Sequence, residues 1–197
     1  MAHREKAHAM RALEEEILSL NITPELAAQA NRLVIGDGSL DADIVFIGEA
    51  PGKNEDLQGL PFVGAAGKFL NVMLEAAGMV RSDVYITNIV KYRPPENRDP
   101  TTAEKAAFWP YVLRQLEIIQ PAVVITLGRH SMEYFLPGEK IGEVHGQPKR
   151  LSLGDSMLIV MPLYHPAAAM YNGSLRQTLI DDFLKVPEVI RSFNETT

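Results

Sequence analysis

The sequence predicts an α/β fold with four parallel strands, and three observations carry that expectation. Four short runs rich in β-branched and apolar residues read as buried strands: Ala42 to Ile47, Val84 to Asn88, Ala122 to Leu127 and Met157 to Met161. Helical stretches separate them, the alternation that produces a parallel sheet. The chain has 197 residues, 46% of them apolar, which is enough to bury one sizeable core. It holds no internal repeat, low-complexity tract or linker, so residues 1–197 are expected to form one domain.

In chain order, helices are expected at Arg4 to Leu20, Pro24 to Leu33, Ala65 to Ala77, Thr102 to Ile119, Arg129 to Phe135 and Leu175 to Phe193. Gly78 fits a C-terminal stop, and Pro121 keeps the helix before it from continuing. Gly36 and Gly38 precede the first strand and read as a turn. Pro and Gly concentrate at Ala50 to Gly67 and Arg93 to Pro100, both just beyond a strand, where open parallel sheets place ligands.

Composition removes several chemistries. With no cysteine there is no disulfide, no thiolate nucleophile, and no cysteine-held zinc or iron-sulfur site. The five histidines show no HExxH spacing. No run of 18 apolar residues occurs, and Met1 to Glu16 is rich in charge rather than carrying an apolar signal region. A cytoplasmic protein with no membrane association is expected. The net charge of −6 argues only weakly against a nucleic-acid partner, because local patches decide such binding.

Three segments hold candidate chemistry. The first is Gly48-Glu49-Ala50-Pro51-Gly52, continuing through Glu55-Asp56 to Gly59-Leu60-Pro61-Phe62-Val63-Gly64-Ala65-Ala66-Gly67. It is not a P-loop, since Phe62 stands where the first glycine belongs and Phe69 follows Lys68. Glu49 falls just past a strand end, where a carboxylate either orients water or is simply a solvated loop residue. The second is Tyr85-Ile86-Thr87-Asn88-Ile89-Val90-Lys91-Tyr92-Arg93-Pro94-Pro95-Glu96-Asn97-Arg98. Its Asn88, a donor and an acceptor at a strand end, either matches the polar edge of a base or holds the next loop. The third is Leu163-Tyr164-His165-Pro166, whose His165 either donates to a developing anion or serves a structural role.

Taken together and in this order, the segments from about Gly36 to Pro166 resemble the family 4 uracil-DNA glycosylases, with their GE(G/A)PG, GxPFVGxAG, TNIVKxRPPxNR and late HP motifs. The resemblance implies a three-layer α/β/α fold around a central four-stranded parallel sheet. It implies excision of uracil from DNA without a metal, leaving an abasic site as in base excision repair. Glu49 and His165 would be catalytic, Glu49 handling the water and His165 stabilising charge on uracil O2. Gly48, Ala50, Phe62 and Asn88 would bind the base, Phe62 by stacking and Asn88 at the uracil edge. Exclusion of thymine would be steric, with Glu49 and its loop as candidates.

Lys91, Arg93, Asn97 and Arg98 would contact DNA, single- or double-stranded, with Arg129, Lys149, Arg150 and Arg176 as further cations. The stretch Gly142 to Arg150 is a candidate groove-entering loop by position alone. Members of the family carry four cysteines that hold an iron-sulfur cluster. Here Asn21, Pro24, Tyr92 and either Phe108 or Trp109 stand in those places, so no cluster is expected and apolar packing is expected to take over as the tether. Two other readings stay open: an inactive module of the same fold that binds uracil-containing or damaged DNA, and a glycosylase for another deaminated base such as hypoxanthine. The short Arg93 to Arg98 loop speaks against the covalent-trapping branch of the superfamily. A monomer is expected.

Overall fold

The computed structural model describes residues 1–154 and 156–194. The four expected strands form as β2 (Ile44–Gly48), β3 (Tyr85–Asn88), β4 (Val123–Leu127) and β6 (Ser156–Leu163), mutually parallel in the order β3-β2-β4-β6. Two further strands flank them. β1 (Asp37–Gly38) pairs antiparallel with β3, and β5 (Lys149–Leu153) pairs antiparallel with β6, so the sheet has six strands rather than four. Neither edge strand has the continuous apolar run that marks a doubly covered strand. β1 is two residues within the Gly36 to Gly38 stretch read as a turn, and β5 alternates half-buried and exposed residues. β5 begins inside the stretch Gly142 to Arg150, which is therefore not a free loop. A short helix, α7 (Ile141–Val144), occupies its start, and Lys149 Nζ donates to Glu139 Oε1 at 2.8 Å.

The remaining helices are α1 (His3–Ser19), α2 (Pro24–Ala27), α3 (Lys53–Gln58), α4 (Ala65–Ala76), α5 (Thr102–Ile119), α6 (Arg129–Met132), α8 (Pro166–Tyr171), α9 (Gly173–Phe183) and α10 (Val186–Asn194). Local chemistry sets several boundaries. Thr101 and Glu104 form a reciprocal capping box at the start of α5. Asn172 accepts from the backbone of Ser174 and Leu175, so the single helix expected before residue 193 starts two residues early, and it breaks after Phe183. α2 and α6 are one turn each, shorter than expected.

Side chains alternate across each strand and divide the core in two. Val45, Ile47, Val124 and Val160 face a cluster built with α1, α2 and α5. Ile44, Phe46, Ile125 and Met161 face another built with α4, α9 and α10. This makes the three-layer α/β/α arrangement, and the carboxyl ends of β2, β3 and β6 open together on one edge.

Candidate active site

A cavity of about 310 Å³ lies at those strand ends. β2 delivers Glu49, β3 delivers Asn88, β6 delivers His165, and the loop between α3 and α4 delivers Phe62. Asn97, Arg98 and Asp99 form the rim. The three sequence segments thus converge on one space, because parallel strands bring residues distant in sequence to the same edge.

Asn88 is 2% exposed, and among the described residues no protein group hydrogen-bonds its carboxamide. The amide faces the cavity, in register opposite Gly48. A Cβ on Gly48 would sit 2.4 Å from Asn88 Oδ1 and 2.6 Å from Phe62 Cζ, so only glycine leaves the space between those two side chains. Phe62 adopts φ 51, a left-handed conformation that costs a bulky residue on the order of 1 kcal/mol or more. The residues around it hold it there. Glu55 Oε1 accepts from the Val63 and Gly64 amides at 2.9 and 2.8 Å, and Arg81 Nη2 donates to the Pro61 carbonyl at 2.6 Å. The ring meets the His165 imidazole with centroids 5.7 Å apart.

His165 caps α8, its Nδ1 accepting from the Ala167 amide at 3.1 Å. That bond assigns the proton to Nε2, so a neutral imidazole has a donor left for a ligand. Burial, followed by the nearby His130, pulls its pKa down to about 4, so it is neutral near pH 7. Glu49 moves the other way. Burial first and the Asp99 carboxylate second raise its pKa to about 7, against the opposing pull of Lys105 and Arg129.

Five groups here carried no role in the sequence reading: His130, Asp99, Lys105, Glu133 and Glu55. His130 Nε2 lies 3.7 Å from Glu49 Oε2 and 3.3 Å from Asp99 Oδ2, while Lys105 bonds Glu133 and approaches His130 Nδ1. Glu55 belonged to a quoted motif, yet only the folded loop shows it as the clamp on Phe62. The available signal for His130 was its position just past β4, the same rule that located Glu49. Glu49, Asp99 and His130 offer ligand atoms within 4.8 Å of one another, a set able to hold a divalent cation. The Lys105 and Arg129 charges beside it oppose one.

The family model of the uracil DNA glycosylase superfamily matches residues 35–186. The chain belongs to this superfamily. It is 49% identical over 165 residues to a Type-4 uracil-DNA glycosylase of Saccharolobus solfataricus, covering 81% of this chain and 76% of the relative. It is 44% identical to one from Sulfurisphaera tokodaii, covering 92% and 84%. A third, from Thermotoga maritima, is 39% identical over 92% of this chain and 95% of its own length.

For a member of the uracil DNA glycosylase superfamily, this chain holds nothing that fits a cysteine-ligated cluster. Tyr92 and Phe108 are buried and meet edge to face with ring centroids 6.0 Å apart. Trp109 instead packs on Tyr134 and Phe135, so Phe108 is the residue that closes on Tyr92. Leu26 and Ile22, beside Pro24 and Asn21, join the same core.

The expectation that Lys91 contacts DNA is overturned. Lys91 is fully buried, and its Nζ donates to Thr87 Oγ1, the Asn88 carbonyl and Gln115 Oε1 at 2.7, 2.7 and 2.6 Å. The apolar run Ile89-Val90 carries the lysine under the sheet edge, out of reach of a phosphate. Arg98 is exposed and paired bidentately with Glu104, and Arg93 Nε donates to Asn97 Oδ1. Glu96 and Asn97 both have positive φ, so the rim beside Arg98 is strained backbone. Three of the four other cations are partly committed: Arg129 to Asp99, Lys149 to Glu139, and Arg176 over the Phe69 ring, while Arg150 is exposed. Among the described residues, no helix is long and apolar enough to cross a membrane.

Proposed function

We propose that this chain is a monofunctional uracil-DNA glycosylase that flips uracil from DNA and hydrolyses its N-glycosidic bond. The observation that carries the reading is the Asn88 carboxamide, almost buried, without a hydrogen-bond partner among the described residues and open to a cavity walled by Phe62. A uracil edge presents an acceptor beside a donor, which one carboxamide matches, while cytosine places an amine where the acceptor should be. The Type-4 uracil-DNA glycosylase relatives support the same conclusion.

Flipping costs a few kcal/mol of stacking, repaid by contacts to the extruded base and the backbone. Phe62 stacks on the ring, and Gly48 and Ala50 let the chain approach it closely. As the bond between uracil N1 and sugar C1′ lengthens, its electron pair moves onto uracil and positive charge gathers on the sugar. His165 Nε2–H donates to uracil O2 as the anion forms. Ionised Glu49 orients a water toward C1′ and takes its proton as the new C–O bond forms. The products are an abasic site and the uracil anion, which takes up a proton from solvent while Glu49 returns the one it took, leaving neutral uracil.

Under the same reading, no iron-sulfur cluster, metal or other cofactor takes part, and Arg93, Asn97 and Arg98 line the path of the DNA backbone. The chain works as one domain and as a monomer in the cytoplasm, on single- or double-stranded DNA. The test is a labelled oligonucleotide carrying one uracil, treated with alkali after incubation with the metal-free protein. Cleavage at the uracil that falls in Glu49→Gln and His165→Ala supports hydrolysis. Retained binding of uracil-containing DNA without cleavage overturns it in favour of a binding module.

A further inference from the structure

We propose that Lys91 is a positioning residue for base recognition, locking from below the turn that presents Asn88. The inference rests on the assignment of Asn88 to the uracil edge.

Lys91 stands out for how it is buried. A fully enclosed ammonium loses several kcal/mol of hydration and is ordinarily matched by a carboxylate. Among the described residues none is bonded to it. Its three partners are a hydroxyl, a carbonyl and a carboxamide oxygen, and each is itself fastened. Thr87 Oγ1 donates to the Ile35 carbonyl at 2.7 Å, and Gln115 Nε2 donates to the same carbonyl at 2.9 Å and to the Tyr85 hydroxyl at 3.2 Å. Both partners spend their donors elsewhere and turn only acceptors toward Lys91. The three N–H groups of one ammonium therefore fill three acceptors. Burial pushes the lysine pKa well below its ordinary value, and a surrounding made only of acceptors is the arrangement that suits the protonated form.

The geometry explains why such a costly group is useful. The lysine stem folds back from residue 91 to the carbonyl of residue 88, closing the turn that leaves β3. The Ile89 and Val90 amides of that turn donate to the Gly48 and Glu49 carbonyls, both at 3.0 Å, and the Lys91 carbonyl accepts from Val34 at 2.8 Å. The turn holding the base-recognising side chain is thus tied to the strand carrying Glu49. Among the described residues Asn88 has no side-chain hydrogen bond to hold it in place, so its aim depends on this backbone.

The experiment is a double-mutant cycle of Lys91→Met with Asn88→Ala, read by single-turnover excision, by inhibition with free uracil, and by binding of DNA carrying an abasic-site analogue. Lys91→Met is expected to slow excision by about tenfold or more and to weaken uracil inhibition in parallel. Abasic DNA should bind within about twofold of wild type, and the lysine change should add less than about threefold once Asn88 is alanine. Thr87→Val, which removes one acceptor at nearly constant shape, is the second variant should Lys91→Met fold poorly; a loss of about threefold or more in rate and in uracil inhibition is expected. Excision at the wild-type rate by a folded variant, or losses that multiply in the Asn88→Ala background, overturn the positioning role. Wild-type excision by Asn88→Ala alone overturns the recognition reading as well, which separates the two failures.

Discussion

Replacing Gly48 by alanine should block uracil excision while leaving the protein folded and able to hold abasic DNA. The new Cβ would stand 2.4 Å from Asn88 Oδ1 and 2.6 Å from Phe62 Cζ. An ordinary carbon–oxygen contact is about 3.4 Å, so the Asn88 carboxamide must retreat by about 1 Å. Neither backbone can follow, since Asn88 is held by the β2 ladder and Lys91, and the loop at Phe62 by Glu55 and Arg81. The displacement therefore falls on the two side chains assigned to the base. A misplacement of about 1 Å costs on the order of 100-fold in rate, or about 2.7 kcal/mol of barrier. Overpacking costs roughly 1–3 kcal/mol of stability, so a melting curve fixes an assay temperature at which both proteins are folded. The assay is single-turnover release of uracil from a labelled oligonucleotide, scored by alkaline cleavage, beside binding of the same DNA with an abasic analogue. A folded Gly48→Ala protein within threefold of the wild-type rate would refute the reasoning. An equal loss of abasic-DNA binding would refute it too.

In the proposed mechanism the Glu49 carboxylate is the working form, and its pKa is raised to about 7, so the single-turnover rate should climb about tenfold per pH unit below that value and level off above it. His165, pulled down to about 4, is neutral throughout this range and adds no second limb, and Glu49→Gln should flatten what activity remains. Phe108→Ala empties a fully buried site against Tyr92 and should cost about 3–5 kcal/mol, lowering Tm by on the order of 10 °C in a scanning melt. Supplying iron and sulfide during refolding should leave no iron on the desalted protein and no change in that Tm. Arg93→Ala should reduce the slope of log affinity for DNA against log salt by about 1, whereas Lys91→Met, buried away from phosphate, should leave the slope unchanged.

The sequence by itself determined the α/β class, the four parallel strands, and the convergence of Glu49, Asn88 and His165. Apolar runs between helices report double burial directly, and each candidate lies at or just beyond the carboxyl end of such a strand, an edge that parallel strands share. It also settled the absence of cysteine ligands, which is a matter of composition. The edge strands were not legible, because Asp37–Gly38 and Lys149–Leu153 owe their pairing to a neighbouring strand rather than to their own pattern. Nor was the burial of Lys91. A lysine two residues before a run of charge and proline looks like a phosphate ligand until the turn folds it back onto the Asn88 carbonyl. The His130 and Asp99 neighbours of Glu49 come from the β4 end and the rim, 81 and 50 residues away in sequence. Only tertiary structure brings those charges together in a half-buried space, where loss of water and the Asp99 charge move the Glu49 pKa to about 7. Sequence supplies the groups and the strand ends that carry them; the distances and burial that decide their protonation exist only once the chain is packed.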